Sequence, residues 1–156
     1  MKIILITVGS IKTPYVKQGV FEYVKRLKRY ASFEVIAVKE EPYKPPRPKD
    51  GVLLKEAGAI RKALAKGDFV VALSDGGAGF SSKEFSGFIE KVFSGGKKRI
   101  VFLIGGAYGL DRALVEEADF RLSLSRMTLP HELCALVFVE QLYRAFTIIK
   151  GEPYSH

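Results

Sequence analysis

Apolar residues in this chain recur with two periods. The run Lys2–Val8 is continuously apolar and β-branched up to Gly9-Ser10, the pattern of a strand buried on both faces. Val20, Tyr23, Val24 and Leu27 then fall at i, i+3, i+4 and i+7, one helical stripe backed by Glu22, Lys25, Arg26, Lys28 and Arg29. Residues 33–38 read as a second strand. Leu53, Ala57, Ile60 and Leu64 mark a second helix closed by Gly67, and residues 68–73 a third strand. Ser81 with Glu84 forms a capping box for a third helix with the stripe Phe85, Phe88, Ile89 and Val92. Arg99–Ile104 is a fourth strand, 111–118 a short helix and 120–124 a fifth strand. Pro130 suits the first turn of a last helix running to about Ile149. Strands alternating with helices predict an α/β fold, a parallel sheet covered on both faces. No repeat or composition break divides it, so one domain over 1–156 is expected.

Residues 39–51 interrupt the alternation. Pro42, Pro45, Pro46 and Pro48 stand there among lysines and an arginine, which excludes helix and central strand and leaves a basic loop. The formal charge is +8, which directs attention to polyanions, nucleic acid first. Hydrophobic residues make up 47%, enough for a core without staples. Cys134 is the single cysteine, so no intrachain disulfide forms; its apolar surroundings predict a buried, inert thiol. With only two histidines besides, no metal site is expected. The N-terminal apolar stretch is short for a signal segment, and no run nears the roughly 20 apolar residues of a membrane span. A soluble, cytoplasmic protein with no membrane partner is expected.

In open parallel sheets ligands bind beyond the carboxyl ends of the strands. Three such ends carry unusual loops, 73–79, 105–111 and 125–131, rich in glycine or in serine and threonine. Glycines let a ligand approach the backbone and read its N–H and C=O groups. Gly105-Gly106-Ala107-Tyr108-Gly109 is neither a P-loop nor a dinucleotide fingerprint, and no lysine follows with serine or threonine to hold phosphate and magnesium. A nucleoside cofactor without a phosphate chain fits better. His131 falls in the first turn of the last helix, where a neutral imidazole can accept a proton or orient a base. Arg144 lies on the same, otherwise apolar helix and calls for an anionic partner or an exit to solvent. From Leu133 to Val139 that helix is apolar nearly all round, which predicts packing against a second subunit.

At these residues the sequence resembles the SPOUT-class ribosomal RNA large subunit methyltransferase H family. The matching pieces are Phe102-Leu103-Ile104-Gly105-Gly106-Ala107-Tyr108-Gly109-Leu110, Ser123-Leu124-Ser125-Arg126-Met127-Thr128-Leu129-Pro130-His131, Glu140-Gln141-Leu142-Tyr143-Arg144-Ala145 and Pro153-Tyr154, with a similar start from Val8-Gly9 to Leu27. The resemblance spans essentially the whole chain. It implies a SPOUT fold with a C-terminal trefoil knot, a homodimer with each cofactor site near the interface, and S-adenosylmethionine as cofactor. It implies methylation of N3 of a pseudouridine, in the helix 69 loop of 23S ribosomal RNA, with free rRNA or the assembled ribosome as partner. The cofactor contacts it implies are Leu73, Gly105 and Leu124, Ser125, Arg126, Met127, Thr128 and Leu129. His131, Tyr143, Arg144 and Tyr154 are implied near the base; His131, Tyr154 and His156 are candidates to remove the N3 proton, and Arg144 to stabilise the imide anion. Two departures stand out. Relatives often carry an acid directly after the position of Leu73, where this chain has Ser74 and then Asp75; relatives usually end Pro-Tyr-His, where Ser155 here separates Tyr154 from His156. Lys25, Arg26, Lys44, Arg47 and Arg61 are candidate phosphate contacts. A ribosome-associated RNA-binding protein without catalysis would explain the charge but not the three loops. A flavodoxin-like or phosphate-ester enzyme would explain the alternation but would need flavin or metal.

Overall fold

The computed structural model describes residues 1–154. Five strands, β1 (Lys2–Val8), β2 (Ser32–Val38), β3 (Phe69–Gly79), β4 (Arg99–Ile104) and β5 (Phe120–Ser123), form one sheet in the order β2-β1-β4-β3-β5. Every pairing is parallel. Five helices connect them: α1 (Pro14–Leu27), α2 (Asp50–Ala63), α3 (Ser82–Ser94), α4 (Arg112–Glu117) and, after β5, α5 (His131–Lys150).

The two-residue period of the strands sorts the core into two layers. Ile3, Leu5, Val71, Leu73, Ile100, Phe102, Ile104 and Leu122 point to the face covered by α1, α3 and α5. Ile4, Ile6, Val8, Val101 and Leu103 point to the other, covered by Ala57 and Ile60 of α2 and Leu114 of α4. Strands buried on both faces are continuous apolar runs for this reason, and β1 and β4 hold the centre. The capping box of α3 forms as expected: the Glu84 N–H donates to Ser81 Oγ and the Ser81 N–H to the Glu84 carboxylate.

Several boundaries differ from the sequence reading. Residues 74–79 are not a free loop: β3 resumes beyond an irregularity in which Leu73 and Ala78 both register with Leu122, and Gly79 with Ser123. The residues between bulge out at the sheet edge, a geometry periodicity cannot signal because it breaks the alternation. At the bulge the backbones touch. A Cβ on Gly77 would lie 2.5 Å from the Leu122 carbonyl carbon and 2.7 Å from that of Arg121. Helix α2 begins at Asp50, inside the segment read as loop, and ends before Leu64, which caps it. β5 ends at Ser123, and Pro130 is the N-cap of α5, so His131 is the first helical residue. The proline-rich segment is tied to the body: the Glu41 N–H donates to the buried Glu56 carboxylate (3.2 Å), and Tyr43 meets Tyr108 edge-on at 4.9 Å. Burial raises the Glu56 carboxyl above its ordinary range.

Cys134 is half-buried rather than enclosed, and Leu133, Leu136 and Val137 also keep part of their surface, while Ala135, Phe138 and Val139 are buried. The apolar run of α5 is therefore covered on one side only. Where α1 meets α5 the helices come close: a Cβ on Gly19 would lie 2.7 Å from Leu136 Cδ1.

Two glycine substitutions should act with opposite sign. Gly77→Ala drives a methyl group into the β5 backbone and should destabilise by about 1–3 kcal/mol. Gly58→Ala, inside α2 with nothing within 4 Å of the new carbon, should stabilise by about 0.5–1 kcal/mol. Chemical denaturation of both variants checks the pair.

Candidate functional site

Because β4, β3 and β5 are neighbours in that order, the chain segments leaving their carboxyl ends meet at one edge. They enclose a cleft of ≈ 850 Å³ with walls from Leu73, Ser74 and Asp75 of the β3 bulge, Ile104 to Leu110 beyond β4, and Thr128 to His131 before and at the start of α5. That volume is in the range of about 300–1,000 Å³ typical of small-molecule sites. A smaller pocket of ≈ 50 Å³ adjoins it, lined by Leu73, Ser123, Leu124, Ser125, Met127 and Leu129.

The turn beyond β4 depends on having no side chain at Gly105 or Gly109. A Cβ on Gly105 would lie 2.3 Å from the Gly109 carbonyl carbon, and Gly109 has φ +81°. Its N–H donates to the Gly106 carbonyl at 3.1 Å. Bare backbone therefore faces the cleft. The segment beyond β5 is shaped by serines: Ser123 Oγ donates to the Ser125 carbonyl and the Met127 N–H donates to Ser125 Oγ, both at 2.9 Å. This holds Met127 outward, 80% exposed beside the pocket.

Of the residues anticipated as cofactor contacts, Leu73, Gly105, Thr128 and Leu129 line the main cleft, and Leu124, Ser125 and Met127 the adjoining pocket. Arg126 sits in the same loop, exposed, and lines neither. His131 lines the cleft. The structure adds Lys49, Asp75, Tyr108 and Cys134. Tyr108 and Asp75 lay in loops the sequence had flagged; Lys49 carried no signal, because only the fold of the proline-rich segment brings it here. Burial, with a smaller contribution from Asp75, pushes the Cys134 thiol up to about 11, so it stays protonated near neutrality.

Arg144 and Tyr154 are elsewhere. Arg144 comes thirteen residues after His131 on α5, roughly 20 Å along the axis. Its anionic partner is in the chain: Nη2 and Nε both donate to Glu140 Oε1, at 2.7 and 3.1 Å. The guanidinium also stacks over the Tyr154 ring at 4.8 Å. The Tyr154 hydroxyl donates to Glu140 at 3.1 Å and lies 3.2 Å from that of Tyr23. Burial first, then these neighbours, raise the Tyr154 phenol well above its ordinary range, so near neutral pH it is a proton donor. Tyr143 packs against Tyr23, Tyr30 and Tyr154, making an aromatic and cationic cluster at the far end of α5. His156 lies outside the described residues. Arg61, read as a phosphate contact, is held by Glu117 through two hydrogen bonds of 2.9 and 3.1 Å. Among the described residues no group of three or more metal-ligating side chains occurs, and no helix is long and apolar enough to cross a membrane.

The family model described as a predicted SPOUT methyltransferase matches residues 1–156. The chain is 44% identical over 157 residues to the ribosomal RNA large subunit methyltransferase H of Carboxydothermus hydrogenoformans, with 99% of each chain covered. It is 43% identical over 157 residues to the protein of that name from Streptococcus suis, again with 99% of each covered. Among solved structures, a probable methyltransferase from Bordetella pertussis Tohama I shares the fold with TM-score 0.56 at 17% identity, covering 92% of this chain and 95% of that one. A probable methylase family protein from Haemophilus influenzae Rd KW20 gives TM-score 0.54 at 14% identity, covering 99% of this chain and 70% of that one.

The wall of the cleft at His131 is pinned by the next residue. The Glu132 carboxylate accepts from the backbone N–H groups of Lys12 and Thr13 and from the Thr13 hydroxyl, joining α5 to the β1–α1 connection. These bonds, that from Lys12 foremost, lower its carboxyl below the ordinary range. Stability from a depressed carboxyl is fully present above the unfolded value of about 4.3 and is lost as pH falls through the folded one. Glu132→Ala should therefore lower the melting temperature at pH 7, and the gap from wild type should close below about pH 4; thermal melts across that range check it.

Proposed function

This chain belongs to the SPOUT methyltransferase family, and from that premise we propose that it transfers a methyl group from S-adenosylmethionine to N3 of a pseudouridine in large-subunit ribosomal RNA. Action on ribosomal RNA rests on the names its relatives carry over nearly their whole length. One observation of this chain carries the cofactor reading: three strand-end segments meet in a single cleft whose walls are largely backbone, glycine and apolar side chains, with Lys49, Asp75, Tyr108 and His131 among them. An adenosine suits such walls, since its purine can be read by peptide groups and covered by Met127 and Leu129, and it needs no phosphate-binding loop.

When bound, the cofactor supplies a methyl group already activated by its sulfonium. Holding that group in line with the base nitrogen lowers a barrier by about 7–11 kcal/mol in well-oriented systems. Gly105 and the segment 124–129 do the holding. Transfer of that methyl group to N3 would require the N3 proton to leave. His131, which lines the cleft at the start of α5, would take it. Arg144 is the cation for the developing imide anion.

Arg144 and Tyr154 lie too far along α5 to meet a methyl group in the cleft of their own chain. The half-covered apolar side of α5 supports a homodimer in which one protomer's Arg144 and Tyr154 complete its partner's cleft. The family match over residues 1–156 supports a trefoil knot in the C-terminal third of one domain.

Methyl transfer should be assayed on free rRNA, ribosomal subunits and whole ribosomes, with the modified nucleoside identified by mass spectrometry; no methylated pseudouridine on any of the three rejects the activity. Arg144→Ala should cost about 10²–10³-fold in rate while leaving affinity for S-adenosylmethionine unchanged. Mixing Arg144→Ala with His131→Ala protomers should restore activity that neither has alone. Mixtures that stay inactive would mean both side chains serve within one protomer.

A further inference from the structure

We propose that Lys49 recognises the carboxylate at the amino-acid end of the cofactor, an assignment that rests on the cofactor reading above. Three observations carry it. Lys49 is the one lysine or arginine among the described residues lining the ≈ 850 Å³ cleft. Its ammonium lies 4.5 Å from the centroid of the Tyr108 ring, which belongs to the glycine turn beyond β4. Among the described residues no carboxylate lies within ion-pairing distance of it, so its charge is open to a ligand in the cleft.

The placement is built rather than incidental. Lys49 closes the proline-rich segment and directly precedes α2. That segment is fixed at its other end by the Glu41–Glu56 hydrogen bond, and in the middle by Tyr43 against Tyr108. An exposed lysine stem is flexible, but a ring beneath the ammonium and an anchored backbone restrict where the charge can be. Beyond β4 the cleft is otherwise lined by Gly105, Gly106, Ala107, Gly109, Leu110 and Val115, none of them charged, and its one carboxylate, Asp75, stands on the β3 bulge. S-Adenosylmethionine is an adenosine joined through sulfur to an α-amino acid, so its single anionic group is that carboxylate. With adenosine held by the segments beyond β4 and β5, the carboxylate is the part that a cation at the cleft rim recognises. The same contact would make the segment 39–49 sense whether the cleft is filled.

The test compares S-adenosylmethionine with its decarboxylated analogue, which keeps the adenosine, the sulfonium and the amine. Calorimetry on wild type should find the parent bound about tenfold more tightly, the scale of one charge-assisted hydrogen bond. Lys49→Met should lose that preference by weakening only the parent, and Lys49→Arg should retain most of it. Lys49 is exposed, so the variants should melt with wild type. A wild type that binds both ligands equally, or a Lys49→Met protein that keeps the preference or weakens both ligands alike, overturns the assignment alone. A folded wild type that binds neither ligand overturns the cofactor reading, and this assignment with it.

Discussion

The insertion of β3 between β4 and β5 is the constraint from which the site follows. All three strands run parallel, so their carboxyl ends lie at one edge, and the segments leaving them have nowhere to go but past one another. The sheet is buried on both faces by five helices, which leaves that edge as the place where backbone can face a ligand. The bulge at 74–77 then lifts Ser74 and Asp75 off the sheet, and the backbone contact at Gly77 holds the bulge against β5. Glycine at 77 and 105 is thus a packing requirement: in both places one backbone lies where a Cβ would be.

Helix α5 sets the second dimension of the site. Its start, with His131, forms a wall of the cleft, and Glu132 ties that start to the β1–α1 connection. Its far end holds Arg144, Glu140 and Tyr154 in one hydrogen-bonded cluster. The guanidinium is held by a carboxylate on its own helix and by an aromatic face, so its orientation is set by the chain itself. A rigid helix keeps the two ends apart within one protomer.

The positive charge is spread unevenly in its availability. Arg61 and Arg112 are matched by Glu117 and Glu116, and Arg99 by Asp68, so they add little to the field felt by a polyanion. Lys44, Arg47 and Lys55 line a pocket of ≈ 360 Å³ on the proline-rich segment, and Arg26 lies over the rings of Tyr23 and Tyr143. A cationic proline-rich segment beside the cleft and a cationic aromatic cluster at the far end of α5 together make the surface suited to a phosphate backbone.

Periodicity by itself determined the ten elements and their order, because apolar runs and helical stripes are local consequences of burial on one face or two. Glycine content marked the turn beyond β4, and the capping box marked the start of α3, since each is a property of adjacent residues. The motif resemblance named Leu73, Gly105, Leu124 to Leu129, His131, Arg144, Tyr154 and His156; of these, Leu73, Gly105, Thr128, Leu129 and His131 line the cleft, while Arg126, Arg144 and Tyr154 do not. The tertiary structure alone decided the strand order, which is a choice among long-range pairings that a local pattern does not encode. It alone resumed β3 beyond a bulge, set the Tyr154 hydroxyl against that of Tyr23, and carried Lys49 to the cleft rim. Each of these is a contact between side chains or backbones distant in sequence, or a register break, and such contacts exist only once the chain has closed on itself.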